Sequence, residues 1–227
     1  MNMDIFTQIG LNSSALGVLG SVVHPFCDKG DYAGTVYINE RDVAEFSISV
    51  AEQGEQAVYI DLAAIADPRL RKKPAKGACC KCDDDGQHFT LCPGGYAVFH
   101  VSKGPHRYAT VVAKVDGKQK EFDSREINKG DIFSASILRP GQYRVRDAGK
   151  KSIGDITVGY PVLEKKAYTP DEPIQISLGS KGMEPQSLRV GPAQGLVFMP
   201  ESPSTIVVEL VKPDDGPDQK RPKHSCK

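Results

Sequence analysis

The sequence lacks an excess of charge of either sign. Its 29 Lys and Arg residues balance its 29 Asp and Glu residues, so the formal net charge is zero. Proteins that bind nucleic acid or anionic membranes through electrostatic attraction carry a basic excess. The balance therefore argues against both functions, and we expect no nucleic-acid partner.

Long apolar runs are also absent. No stretch of 18 apolar residues occurs, so we expect no membrane-spanning helix. Residues 1–14 contain no Lys or Arg, and no small-residue cleavage site follows the apolar run at residues 15–23. Because a secretory signal normally begins with positive charge, we recognise no signal peptide and expect a cytoplasmic protein rather than an exported one. The apolar run instead predicts an N-terminal helix from Ser13 or Ser14 to Val23.

Residues for several common reactions are missing. The sequence contains no Gly-x-Ser-x-Gly motif of the serine hydrolases and no glycine-rich phosphate loop. Residues 108–223 contain neither His nor Cys, which excludes a copper site of the cupredoxin type in that part of the chain. These absences favour a protein that is not an enzyme.

From residue 31 onward, apolar and polar residues alternate in short runs. Ala44, Phe46 and Ile48, for example, alternate with polar neighbours, which is typical of a strand with one buried face. The dipeptide Asp116-Gly117 between two β-prone runs is the strongest hairpin signal. About a dozen such runs, separated by turn residues, predict a mainly β, antiparallel, sandwich-like fold.

One segment of the chain carries a more specific pattern, at residues 126–145. Its pieces are Lys129-Gly130-Asp131, an alternating strand and Pro140-Gly141-Gln142-Tyr143. This order resembles the pattern of cupredoxin or immunoglobulin-like domains. The resemblance implies a sandwich-like architecture, and it implies no function because many unrelated sandwiches share it.

Proline-rich and aperiodic stretches divide the chain into four segments. We expect an N-terminal helix and connector at residues 1–30, and a main β-sandwich unit with a cysteine-rich hairpin at 31–160. A smaller β unit at 161–212 would pack on the first or on a partner. Residues 213–227 have no periodic apolar side chains, which predicts a disordered tail.

Four of the six cysteines lie close together, and they carry the clearest chemistry in the sequence. Cys79 and Cys82 have the spacing with which two thiolates bind one ion from a tight turn. Cys92 precedes a Pro-Gly-Gly turn and resembles one side of a zinc-ribbon knuckle. We therefore predict one zinc ion bound by these three cysteines, with His88 or His100 as the fourth ligand.

Two alternatives to a metal site stay open for these cysteines. In an oxidising compartment, Cys80 or Cys82 would form a disulfide with Cys92 across the hairpin. In a reducing compartment, all four would be free thiols. Clustered cysteines in a chain with no export signal favour metal binding.

These patterns together favour one function and leave a second. The favoured function is a non-catalytic structural or assembly β module that binds proteins, including copies of itself, through strand edges and the N-terminal helix. The alternative is a small metal-binding or redox-active thiol protein centred on residues 79–92.

Overall fold

The structure of the protein, a computed structural model, describes residues 10–67, 69, 87–117, 120–148, 152–160, 168–214 and 216. Within these residues the chain is mainly β, as the alternating pattern predicts, and forms two mixed sheets. The described helix, α1 (Leu62–Ala66), has five residues, and the Asp61 carboxylate accepts a hydrogen bond from the Ala63 N–H at its start. No helix in this part of the chain is long and apolar enough to cross a membrane.

Thirteen of the described strands have nine residues or fewer. The other two have 21 and 13 residues and pair with each other with register shifts. The first seven are β1 (Gly10–Asn12), β2 (Gly20–Phe26), β3 (Gly30–Ile38), β4 (Arg41–Asp61), β5 (His88–His100), β6 (Tyr108–Lys114) and β7 (Lys120–Asp123). The other eight are β8 (Ile132–Ser136), β9 (Gly141–Asp147), β10 (Ser152–Val158), β11 (Ile174–Gly179), β12 (Gly182–Glu184), β13 (Ser187–Val190), β14 (Gly195–Pro200) and β15 (Ile206–Pro213).

The strands form one ten-stranded and one five-stranded sheet. The large sheet has the order β12-β11-β14-β8-β2-β5-β4-β3-β6-β7, and the small sheet has the order β1-β15-β9-β10-β13. Most neighbours are antiparallel, but β4 with β5, β11 with β14 and β10 with β13 are parallel. The expectation of purely antiparallel sheets is therefore wrong at these three pairs.

Side chains alternate between a buried and an exposed face along the strands. In β9, Tyr143 and Val145 are buried, whereas Gln142 and Arg146 are exposed. The buried side chains of both sheets belong to one hydrophobic cluster. Its fully buried members include Phe99, Phe133, Ile156, Phe198 and Val208. Burial of this apolar surface is the main source of stability for the fold.

The expected N-terminal helix is wrong for the part of its range that the structure describes. Residues 13–19 form turns and a single bridge, and β2 begins at Gly20. This strand lies inside the large sheet, between β8 and β5. A short apolar run fits a strand inside a sheet as well as it fits a helix, and Gly17 and Gly20 disfavour a helix. Residues 1–9 lie outside the described residues.

The strands beyond residue 160 pair with strands that precede it. β13, β14 and β15 lie next to β10, β8 and β9, respectively. The two predicted units therefore contribute to both sheets, and the division of the chain at residue 160 stays a prediction. The predicted tail begins too early, because β15 continues to Pro213 and Asp214 donates its N–H to the Pro140 carbonyl. Residues 217–227 lie outside the described residues.

Candidate functional site

The predicted zinc ligands are only partly placed. Cys79, Cys80 and Cys82 lie outside the described residues, whereas Cys92, His88 and His100 lie on β5. The Cys92 thiol donates to the Gln56 side-chain carbonyl at 3.4 Å. His88 Nδ1 lies 2.8 Å from the Ser47 hydroxyl. Both side chains thus contact polar groups of β4.

Strand β5 separates His100 from Cys92. Residues 96–100 pair continuously with β2, from Pro25 opposite Tyr96 to Ser21 opposite His100. At about 3.3 Å per residue these four steps span about 13 Å, and Cys92 lies on the far side of Tyr96. Two ligands of one zinc ion lie within about 4 Å of each other, since each is about 2.0–2.3 Å from the metal. His88 lies four residues from Cys92 on the same strand, about 13 Å at the same rise, so β5 places neither histidine beside Cys92.

A metal site is not formed by the placed residues alone. In the ranges that the structure describes, no three His, Cys, Asp or Glu side chains are grouped as a metal site requires. Binding of zinc by Cys79, Cys82 and Cys92 stays a prediction. Cys27 and Cys92 have free thiols.

Two tyrosines lie side by side on the outer face of the large sheet. Tyr59 of β4 is 71% exposed and Tyr96 of β5 is 42% exposed, while their neighbours Val58 and Ala97 are buried. Tyr96 is opposite Ala57 in the parallel pairing, and Tyr59 is opposite Val98. Because directly opposed residues share a face, the two tyrosines are one diagonal step apart on the same side of the sheet.

The two tyrosines differ from four other tyrosines of the described ranges in their hydrogen bonding. Four other hydroxyls donate to backbone carbonyls: those of Tyr32, Tyr143, Tyr160 and Tyr168. For Tyr59 and Tyr96, no hydrogen bond of the hydroxyl and no contact with another ring occurs within the described ranges. Both side chains are therefore available for contact with another molecule.

Several apolar side chains surround the two tyrosines, and the next residues along the same face are Asp61, His100 and Ser21. The β2 residues Val23 and Pro25 are opposite Val98 and Tyr96, and Ile132 of β8 is opposite Val23. All share the side of the sheet on which the tyrosines lie, and each is partly exposed. We call this surface the tyrosine face, and its members are Val23, Pro25, Tyr59, Tyr96, Val98 and Ile132. None of them carries a formal charge.

A buried polar pair lies on the inner side of the same sheet. His24 Nδ1 donates to Asp131 Oδ1 at 2.6 Å, and the His24 ring packs against Phe26 and Phe122. Its other nitrogen, Nε2, is buried, and the closest carboxylate oxygen, on Glu121, lies 3.8 Å away. A histidine oriented by a carboxylate occurs in nucleophilic enzymes, but such a site also needs a hydroxyl or thiol bound to the second nitrogen. Nε2 has no hydrogen-bond partner in the described part of the chain.

Sequence reasoning missed both the tyrosine face and the polar pair. The alternation Val58, Tyr59, Ile60 indicated the tyrosine face, because two buried aliphatic residues on one side of a strand place the tyrosine between them on the other side. No local signal existed for the second, since 107 residues separate His24 from Asp131.

Comparison with known proteins adds no relative. No protein-family model matches the chain, and neither curated proteins nor solved structures give a significant match. The function is therefore argued from the described surfaces, and in particular from the exposed tyrosines of the tyrosine face.

Proposed function

We propose that the protein is a non-catalytic assembly module that binds a second copy of itself through the tyrosine face. The observation that carries this proposal is the exposure of Tyr59 and Tyr96, unbonded and adjacent, within an apolar surface. Tyrosine is enriched at protein interfaces, because it buries a large ring and retains a hydroxyl for hydrogen bonding.

A second copy is the partner that the charges favour. The tyrosine face carries no formal charge, and the whole chain has a net charge of zero. Two copies therefore approach without repulsion between like charges. An interface with twofold symmetry uses the same apolar patch on both subunits, so the two patches pack against each other.

Strand edges are less suited to this contact than the sequence suggested. The terminal strands of the two sheets are β7, β12, β1 and β13, and each has only three or four residues. Short edge strands offer few free backbone groups to a neighbouring chain. We therefore assign the contact to the face of the large sheet.

We also infer a sandwich-like packing of the two sheets, as in immunoglobulin or cupredoxin architecture. The single hydrophobic cluster shared by both sheets supports this arrangement. In a two-layer fold the inner faces cover each other, and the outer faces contact solvent or a partner. In this arrangement the tyrosine face lies on the outer side of the large sheet, where a partner can contact it.

The proposal is tested by measuring mass in solution. Light scattering after size exclusion should give a dimer for the wild type at about 50 μM, a concentration that suits a micromolar dissociation constant. The double variant Tyr59→Ser, Tyr96→Ser should be monomeric, since loss of two central tyrosines weakens an interface by about 1,000-fold. At a concentration low enough for both proteins to be monomeric, its melting temperature should match that of the wild type, because neither side chain is packed in the core.

The matched control is a double variant that removes two exposed apolar side chains elsewhere. Val43 is 42% exposed and Val115 is 63% exposed, and neither belongs to the tyrosine face. The variant Val43→Ser, Val115→Ser should remain a dimer. A monomeric wild type, or a dimer that survives the double tyrosine substitution, would overturn the proposal.

A further inference from the structure

A cavity of about 370 Å³ opens between the β3–β4 hairpin and the beginning of β6. Its volume lies in the range of about 300–1,000 Å³ that is typical of small-molecule sites. The residues that matter for its chemistry are Tyr37, Glu40, Arg107, Tyr108 and Arg125.

Backbone hydrogen bonds fix the walls of this cavity. Leu16 and Tyr108 exchange two of them, with N–O distances of 2.7 and 2.9 Å, which attach the N-terminal segment to β6. Ser13 likewise donates its N–H to the Ile206 carbonyl at 2.9 Å. The cavity is therefore bounded by segments that the fold holds in place, rather than by one mobile loop.

The two guanidinium groups of the cavity differ in how they are paired. Arg125 donates twice to Asp123, at 2.8 Å to each carboxylate oxygen, and its guanidinium lies 5.3 Å from the centre of the Tyr37 ring. Its charge is therefore neutralised within the protein. Arg107 is partly buried, and the described residues provide no ion pair for it.

The Arg107 guanidinium lies against Gly17, and Arg107 also lines the cavity. A Cβ atom at residue 17 would overlap the Nη1 atom of Arg107, so the guanidinium occupies the space that the glycine leaves. A partly buried positive charge without a carboxylate partner favours an anion from solution. The space at the glycine thus accommodates an unneutralised cation beside a cavity large enough for a ligand.

Two tyrosines adjoin the same cavity. Tyr37 is partly exposed and its hydroxyl donates no hydrogen bond within the described ranges, whereas Tyr108 is only 3% exposed and borders the cavity at the beginning of β6. Burial raises the pKa of Tyr108, with further contributions from Asp61 and Asp67, neither of which lines the cavity. Glu40 also lines the cavity, so the site contains one carboxylate beside the two guanidinium groups.

We propose that this cavity binds a small molecule through one carboxylate or phosphate group, with Arg107 as the anchoring cation. A carboxylate and a phosphate monoester both present two or more oxygens to a guanidinium, so they share the chemistry that Arg107 recognises. The proposal is independent of the tyrosine face, because none of the cavity residues belongs to it.

Nuclear magnetic resonance titration of the full chain tests this site, with inorganic phosphate and acetate as separate probes at constant ionic strength. Either probe should shift the amide signals of Leu16 and Tyr108 saturably, with a millimolar dissociation constant. Saturation by phosphate alone assigns a phosphate group as the ligand, and saturation by acetate assigns a carboxylate. Absence of saturable binding of both probes by the wild type would overturn the proposal.

Two variants and one control make the test specific. Arg107→Gln should weaken binding by about 10-fold or more, the usual effect of losing a charged hydrogen bond. Gly17→Ala should weaken binding as well, because the new methyl group displaces the guanidinium. The fold should remain intact, since the flexible Arg107 side chain can move away from the methyl group. Arg189→Gln, at an exposed arginine on β13, should bind like the wild type. An Arg107→Gln variant with wild-type affinity would contradict the assignment.

Discussion

The Nδ1 atom of His24 lies 2.6 Å from the Oδ1 atom of Asp131, although 107 residues separate them in the chain. Asp131 is only 3% exposed, and its second oxygen accepts the Asn128 N–H at 2.6 Å. The contact joins β2 to the turn that precedes β8. These two hydrogen bonds of the buried carboxylate stabilise the contact between β2 and the turn.

Loss of this carboxylate should be costly. Asp131→Ala leaves the His24 ring and the Asn128 N–H without their acceptor, and we expect a loss of about 3 kcal/mol in the free energy of unfolding. Urea denaturation measures it. Asp155→Ala is the control, because Asp155 is 64% exposed and lies 3.4 Å from Arg144. That variant should lose less than about 1 kcal/mol, and equal losses would contradict the structural role of the buried pair.

Local patterns in the sequence predicted strands and a hairpin between neighbours, but not the pairings across long connections. The alternation at Ala44–Val50 falls within β4, and the Asp116-Gly117 signal falls between β6 and β7, which pair as a hairpin. Both features depend on residues close in sequence. The parallel pairing of β4 with β5 depends on contacts across a long connection, for which the sequence carries no local signal.

The apolar run at residues 15–23 shows where pattern reasoning is ambiguous. Burial in the middle of a large sheet and burial of a helix both require apolar residues, so composition alone does not separate them. The decisive contacts are those of β2 with β5 and β8. The tyrosine face was predictable only in part. The alternation of apolar and polar residues indicates that Tyr59 is exposed, but the pairing of β4 with β5 is needed to place Tyr96 beside it.

Tyr32 should make the protein sensitive to alkaline pH. Burial, together with the charges of Glu121, Asp28 and Cys27, raises the pKa of Tyr32 from 10.0 to about 12. The folded protein therefore keeps a proton that the unfolded chain loses. The stabilising contribution is complete below about pH 10 and disappears as the pH rises towards 12.

Urea midpoints measured between pH 9 and 11.5 test this expectation. They should fall with pH in the wild type and fall less steeply in Tyr32→Phe, which has no proton to lose. The control is Tyr168→Phe, at a ring that is 40% exposed and outside the tyrosine face, and its midpoints should fall with the wild-type slope. Identical slopes for the wild type and Tyr32→Phe would assign the alkaline sensitivity to another group.

Gly54 should be essential to the close approach of β4 and β5. A Cβ atom at this position would overlap the backbone carbonyl of Leu91, which has no flexible end that can move away. Gly54→Ala should therefore lower the free energy of unfolding by about 3 kcal/mol, the upper range for overpacking. Gly159→Ala is the control, because a Cβ atom at that position would come no closer than 3.8 Å to an Arg189 nitrogen. Thermal denaturation should show a clear loss for the first variant and a change within about 0.5 kcal/mol for the second.

The end of β15 should contribute to stability, contrary to the expectation of a tail that begins at residue 213. Lys212 and Pro213 are opposite Gln142 and Gly141, and the Asp214 carbonyl accepts the Tyr160 hydroxyl at 2.7 Å.

A chain that ends after residue 210 loses these contacts, whereas a chain that ends after residue 216 keeps them. We expect the shorter chain to be less stable by about 2 kcal/mol, since two hydrogen bonds of about 1 kcal/mol each are lost with Asp214. Tyr160→Phe in the longer chain removes only the hydroxyl and should account for about 1 kcal/mol of the difference. Equal urea midpoints for the two truncated chains would show that the last residues of β15 contribute nothing, and that the stabilising part of the strand ends at Leu210.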